Sequence, residues 1–307
     1  MSDIFREIAL RMAPTQAALI NDFVKAAPIW ASIPMRETSD GFKNVFERII
    51  SVEAMKKLTG LDSPLPSVKT ESSLASVDLS VFGGLMEVGQ DKANALGSAQ
   101  AYFAKHLETI MPYTAQSYEF ATYYNELRPY ATKLGNEIDA GGTTANKQTS
   151  LVVVRWDAAN TGLYNPDGFG SGKVFESFWM NGGNLYNIAK DGTTVPGYGM
   201  FFKNNFGIQL EGSEHCAAIV NIDLTLTSGE YTAMPTPDQI DDAIYSVRGT
   251  PSDTMILTTN RMVGATKKYE RALGATPPNE VMAISDWDGI PIIGSYNILD
   301  RAEAVVV

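Results

Sequence analysis

The first ninety residues constrain this chain most, because nothing in them predicts a closed core. Ile4, Ile8 and Met12 recur at helical spacing within residues 3–12, and Ile20 and Phe23 within 17–24, so two short helices are expected there. Pro14, Pro28 and Pro34 interrupt the run and predict extended joints between short pieces. Such an arm is expected to lie against something else. Residues 41–50 and 70–88 follow, flanking the Pro-rich stretch Ser63 to Ser67. Val77, Leu79 and Val81 alternate with polar residues, the period of a half-exposed strand, and the two stretches together predict a long two-stranded ribbon. Residues 51–59 are expected to add a helical turn or two. An isolated pair of strands is marginally stable in water, so the ribbon's expected support is a neighbouring molecule.

The rest of the chain has material for a core. In 91–111, Leu96, Ala99, Phe103, Leu107 and Ile110 recur at steps of three or four, predicting a long helix that Pro112 ends or kinks; a further run, 114–127, continues it. At about 1.5 Å per residue the first piece alone spans ~30 Å. From Ser150 the period becomes two. The stretches 150–156, 198–210 and 216–226 read as strands separated by Gly- and Asn-rich loops. Thr236-Pro237-Asp238-Gln239 has the spacing of a capping box with Pro at the first helical position, followed by Ile240, Ala243, Ile244 and Val247 and stopped by Gly249. A strand at 255–257, a helix from Asn260 to Gly274, a strand at 281–284, an Asp288-Gly289 turn and the run 290–293 complete a small α/β layer.

Charge and cysteine usage narrow the function. With 24 Lys and Arg against 35 Asp and Glu the net charge is -11, which disfavours a general nucleic-acid-binding surface. Cys216 is the only cysteine, so no internal disulfide is expected and the cytosol is the expected compartment. Charged residues interrupt the first 27 positions, unlike a signal peptide, and no segment approaches the ~18 apolar residues of a membrane helix.

A search for reactive constellations yields no catalytic, cofactor-binding or metal-binding residue. His106 sits on the long helix beside Phe103 and Leu107, a packing or surface position. His215 and Cys216 are adjacent on a strand and so point to opposite faces, which denies them a nucleophile–base pairing. One Cys and two His fall short of a zinc signature. Gly168 to Lys173 resembles a phosphate loop, but Asp167 and Val174 occupy the positions that need Gly and Ser or Thr, so a turn is expected. Asp238, Asp241 and Asp242 fall in the opening turn of a helix, where negative charge is favoured, and Asp286 and Asp288 in a turn. The aromatics of 113–130 lack interleaved basic residues and predict packing.

Two longer stretches carry a resemblance. Residues 241–298, from DDAIYSVRGTPSDTMILTTNRMVGATKKYE to DGIPIIGSYNI, are similar to the closing section of phage major capsid proteins. SLVVVRWDAANTGLYNPDGFGSG, with GYGMFFKNNFGIQL and IVNIDL after it, resembles the major capsid proteins of a group of short-tailed phages. The order of elements resembles the Hong Kong 97-type capsid subunit from about residue 36 to the end. That resemblance implies an α+β fold with an N-terminal arm (1–39), an extended loop (40–90), a peripheral domain with the spine helix (91–214), an axial domain (215–297) and a return segment (298–307). It implies a virion protein assembled in the host cytoplasm, whose copies join as hexamers and pentamers into an icosahedral shell around double-stranded DNA held without sequence specificity. A separate scaffolding protein, or else assembly without one, a portal and a decoration protein are implied; no cofactor and no membrane contact are implied. Alternatives with other predictions are an encapsulin-type compartment and a carbohydrate-active enzyme using Asp or Glu.

Overall fold

The computed structural model describes residues 25–57, 67–167, 175–190, 192–212, 214–227, 230–272 and 286–306. The short helices expected at 3–12 and 17–24, the strand at 281–284 and the helix end at Gly274 lie outside these residues.

The chain enters through a five-residue helix, α1 (Pro28–Ser32), and strand β1 (Met35–Glu37). Ile29, Trp30, Ile33 and Met35 are buried in the molecule's largest core. The expectation that the arm lies on a foreign surface therefore fails for these residues: four large apolar side chains within seven positions find their burial at home. β1 pairs in parallel with β7 (Thr161–Tyr164), and Gly162 donates its amide to the Pro34 carbonyl at 2.9 Å.

β2 (Lys43–Glu53) and β3 (Lys69–Asp78) form the expected two-stranded ribbon. Residues 51–53 continue β2 and 54–57 carry no helix, so the helical turns expected at 51–59 are absent among the described residues; exposed Val52 and Met55 cover no surface there. The ribbon ends at Asp78. After buried Leu79 the chain turns into β4 (Ser80–Gly89), which leaves the ribbon and pairs antiparallel with β10 (Thr193–Gln209).

β10 organises a six-stranded sheet. One edge pairs with β4 over 197–206, and the other pairs in turn with β9 (Tyr186–Lys190), β8 (Phe175–Trp179) and β7. A second sheet has the order β12 (Glu230–Ala233), β11 (Cys216–Thr227), β6 (Thr149–Arg155), β13 (Thr254–Thr259), β15 (Ile290–Ser295) and β14 (Asp286–Trp287), with β5 (Glu137–Asp139) beside β11. β6 and β11 are almost wholly buried, with apolar runs at their centres, because both faces of this sheet are covered. Val152, Val154, Cys216 and Ala218 enter the core shared with α1 and the long helix, whereas Leu151, Val153, Ala217 and Ile219 face α5 (Pro237–Ser246) and α6 (Asn260–Ala272). The final third thus closes its sheet only by inserting β6 between β11 and β13.

The long helix differs from its sequence pattern at both ends. A short helix α2 (Gln90–Ala95) stops at Gly97, whose φ of +93° suits glycine, and Ser98 caps α3 (Ala99–Ala121) by accepting the Ala101 amide at 3.1 Å. Pro112 neither ends α3 nor breaks it. Thr114 and Ser117 hydroxyls donate to the carbonyls of Ile110 and Tyr113, engaging the backbone on either side of the missing donor. The helix then widens to a π segment (Thr122–Leu127) before α4 (Arg128–Leu134), as Pro129 cannot donate to the turn preceding it.

Candidate assembly surfaces

The residues weighed for chemistry in the sequence are spread apart. His106 packs against Tyr102 with ring centroids 4.2 Å apart and the rings tilted by 44°. Cys216 is buried in the core, where desolvation pushes its thiol up to about 12, and His215, just before the strand, turns to Asp157 instead. His215 Nε2 lies 2.7 Å from Asp157 Oδ2 and 2.7 Å from an Arg155 guanidinium nitrogen. Burial alone would raise the Asp157 carboxyl, but the Asn160 amide and the His215 ring outweigh it and hold it below the usual range. Arg155 also donates to the Val247 carbonyl, so this group ties the 155–157 loop to the end of α5. Asp241 accepts the Trp287 indole at 2.8 Å, which joins the two acidic stretches structurally. Gly168 to Lys173 lies outside the described residues.

Two buried carboxylates were not singled out in the sequence. Glu119 on α3 is fully buried and accepts from the Ile29 amide (2.7 Å), Asn297 Nδ2 (2.8 Å) and the Ser295 hydroxyl, pinning arm and closing strand to the spine. Burial raises its pKa and these donors oppose the rise. Glu303 accepts from Tyr124 (2.5 Å), Arg128 (2.8 Å) and Ser150 (2.8 Å), fastening the C-terminal segment to the π region. The available signal for Glu119 was a carboxylate in helical register with Ala115 and Thr122.

The ribbon exposes large apolar side chains. On one face of the ribbon, Val45, Ile49 and Leu74 lie on neighbouring rungs, and Leu74 and Ile49 are 80% and 61% exposed. Ile50, Val52, Met55 and Val68 extend the exposure toward the tip. The other face is held at its base: Arg48 pairs with Glu211 at 3.2 Å and Asn44 Nδ2 donates to Gln209 at 2.5 Å, beside a cavity of about 630 Å³ between ribbon and α4. Ribbon residues 43–78 include five Lys or Arg and five Asp or Glu, so the net charge of -11 resides outside them. The ribbon is a limb without net charge on an acidic body, and it exposes large apolar side chains.

An arm, a projecting ribbon, a spine helix and two sheets with this order define the fold of a phage capsid subunit of the Hong Kong 97 type. Among solved structures, a chain of bacteriophage Epsilon15 superposes with a TM-score of 0.56 at 18% identity, covering 89% of this chain and 88% of that one. The capsid of bacteriophage JBD30 gives 0.49 at 9% identity (87% and 90% covered), and the holo-SrpI encapsulin of Synechococcus elongatus PCC 7942 gives 0.44 at 9% (68% and 90%). No curated protein matches the chain at a significant level. Residues 114–307 match the family described as major capsid protein GP7, and the chain belongs to that family. It is a capsid-forming structural protein of a tailed-phage virion.

Proposed function

We propose that copies of this chain close into rings of five and six and thence into an icosahedral shell around double-stranded phage DNA, and that the chain performs no catalysis. The single observation carrying this reading is the ribbon, whose exposed Ile49, Val52 and Leu74 belong to no core among the described residues. Lying across a neighbour, it would gain the cover that a two-stranded sheet lacks in water. The seven-stranded sheet with α5 and α6 serves as the axial part, exposed Tyr245 of α5 facing the ring, and the six-stranded sheet with α3 as the peripheral part. Heterologous contacts of this kind close when the rotation between subunits returns to the start. The acidic body suits a container whose wall should not hold its cargo tightly. A separate scaffolding protein, a portal and a decoration protein complete the proposed assembly, in the host cytoplasm.

Negative-stain electron microscopy after size-exclusion chromatography tests this, with the protein expressed alone and with its neighbouring phage proteins. Closed shells or rings of five and six are the expected outcome; a monodisperse monomer under both conditions would overturn the reading.

A further inference from the structure

Helix α3 has two apolar faces, and the described residues cover one. Met111, Ala115 and Tyr118 enter the main core, whereas Ile110, Tyr113 and Phe120 point outward with Ser117 among them, Tyr113 being 67% exposed. Beside this stripe, between α3 and β4, lies a hollow of about 400 Å³ lined by Phe82, Leu85, Leu107, Ile110, Tyr113 and Ser117 among others. A second, shallower hollow of about 310 Å³ is lined by Gln116, Ser117, Phe120 and Asn297. Ser117 lines both, so a trough follows the helix, apolar beside Leu107 and Ile110 and flanked by Gln116 and Asn297 at Phe120.

The end of that trough is where the N-terminal segment leaves the body. Asn297 Nδ2 donates to the Ala26 carbonyl at 2.6 Å, and Glu119, next to Phe120, accepts the Ile29 amide. Residues 1–24 attach here, and in their sequence Ile4, Ile8 and Met12 fall at steps of four with Phe5 beside them. From Phe120 to Leu107 the trough follows thirteen residues of helix, ~20 Å. Residues 13–24 reach up to ~40 Å when extended, so 3–12 can lie anywhere along it. A tethered segment is present at an effective concentration of order mM, which favours the same chain over another copy.

We propose that residues 3–12 dock in this trough of their own chain, with Ile4, Ile8 and Met12 covering Ile110, Tyr113 and Phe120. The N-terminal segment then straps its own spine helix, and this holds whether or not the subunits close into a shell.

The buried, high-pKa Cys216 leaves cysteine chemistry free for a direct test in the full chain. The double variant Ile8→Cys with Ser117→Cys is oxidised mildly, and the bonds are located by non-reducing gel and peptide mass mapping. A bond within one chain is expected, forming at least tenfold faster than in a control pairing Ile8→Cys with Tyr245→Cys on α5. Equal rates, or bonds that join different chains, overturn the proposal. If the double variant does not fold, amide exchange across 107–121 is compared between the native chain and a variant with Ile4, Ile8 and Met12 changed to Ser. Exchange faster by about tenfold in the variant is expected, and unchanged exchange overturns the proposal. Electron microscopy of the same samples reports shell formation separately.

Discussion

At the scale of single residues the stability of this subunit turns on carboxylates placed where apolar side chains would be expected. Glu119 serves three donors from two distant segments, and removing it leaves those donors buried without an acceptor. Glu119→Ala should cost about 2–4 kcal/mol in chemical denaturation and expose the chain near Lys25 to trypsin. Glu126 differs, because its Oε2 is buried without a hydrogen-bond partner among the described residues and desolvation lifts its pKa from 4.5 to about 7. Its folded pKa lies above the unfolded value, so its contribution to stability is complete below pH ~4.5 and is lost as pH rises through about 7. Glu126→Gln should therefore melt like the native chain at pH 4 and at higher temperature at pH 8, by at most about 3 kcal/mol. A difference of equal size at both pH values would contradict that linkage.

At the scale of elements, local and distant causes separate cleanly. Helix α5 begins as its sequence spells out: the Gln239 amide donates to Thr236 Oγ1 at 3.2 Å, and the Gln239 side chain accepts from the Thr236 amide at 2.9 Å. Thr236→Ala should lose about 0.5–2 kcal/mol of unfolding free energy. Strand β7 depends on contact across 127 residues of chain. A Cβ added at Gly162 would come within 2.4 Å of Met35 Sδ and 2.9 Å of Ile33 Cγ2. Gly162→Ala should push β1 off the sheet edge at a cost of about 1–3 kcal/mol, visible as faster amide exchange at 35–38. Pro112 shows the reverse case of a local signal overruled, since packing of one face of α3 on the main core and side-chain bonds to its carbonyls carry the helix past a residue that normally stops one.

At the scale of the whole molecule, the ribbon separates folding from assembly. Leu74 is 80% exposed, so Leu74→Asp removes no core contact within the subunit and should leave its melting temperature within about a degree of native. In a buried contact with a neighbour the same carboxylate would be desolvated without a partner. Electron microscopy should then show soluble subunits or open fragments in place of shells. Normal shells from this variant would remove the ribbon from the interface.

The sequence by itself determined the features whose causes lie within a few residues or a repeating period: the ribbon strands, the apolar runs of β6 and β11, the capping box of α5, and the separation of His215 from Cys216. It also held the family pattern over 114–307. Only the tertiary structure decided that the arm's apolar residues fill their own subunit's core, that β4 leaves the ribbon for β10, that β6 completes the sheet of the final third, and that Glu119 and Glu303 fasten the two ends of the chain to the spine. The physical reason is distance along the chain. Periodicity records which face of an element is apolar, but the partner for that face lies 90 to 180 residues away, and its choice is settled by packing that no local pattern encodes.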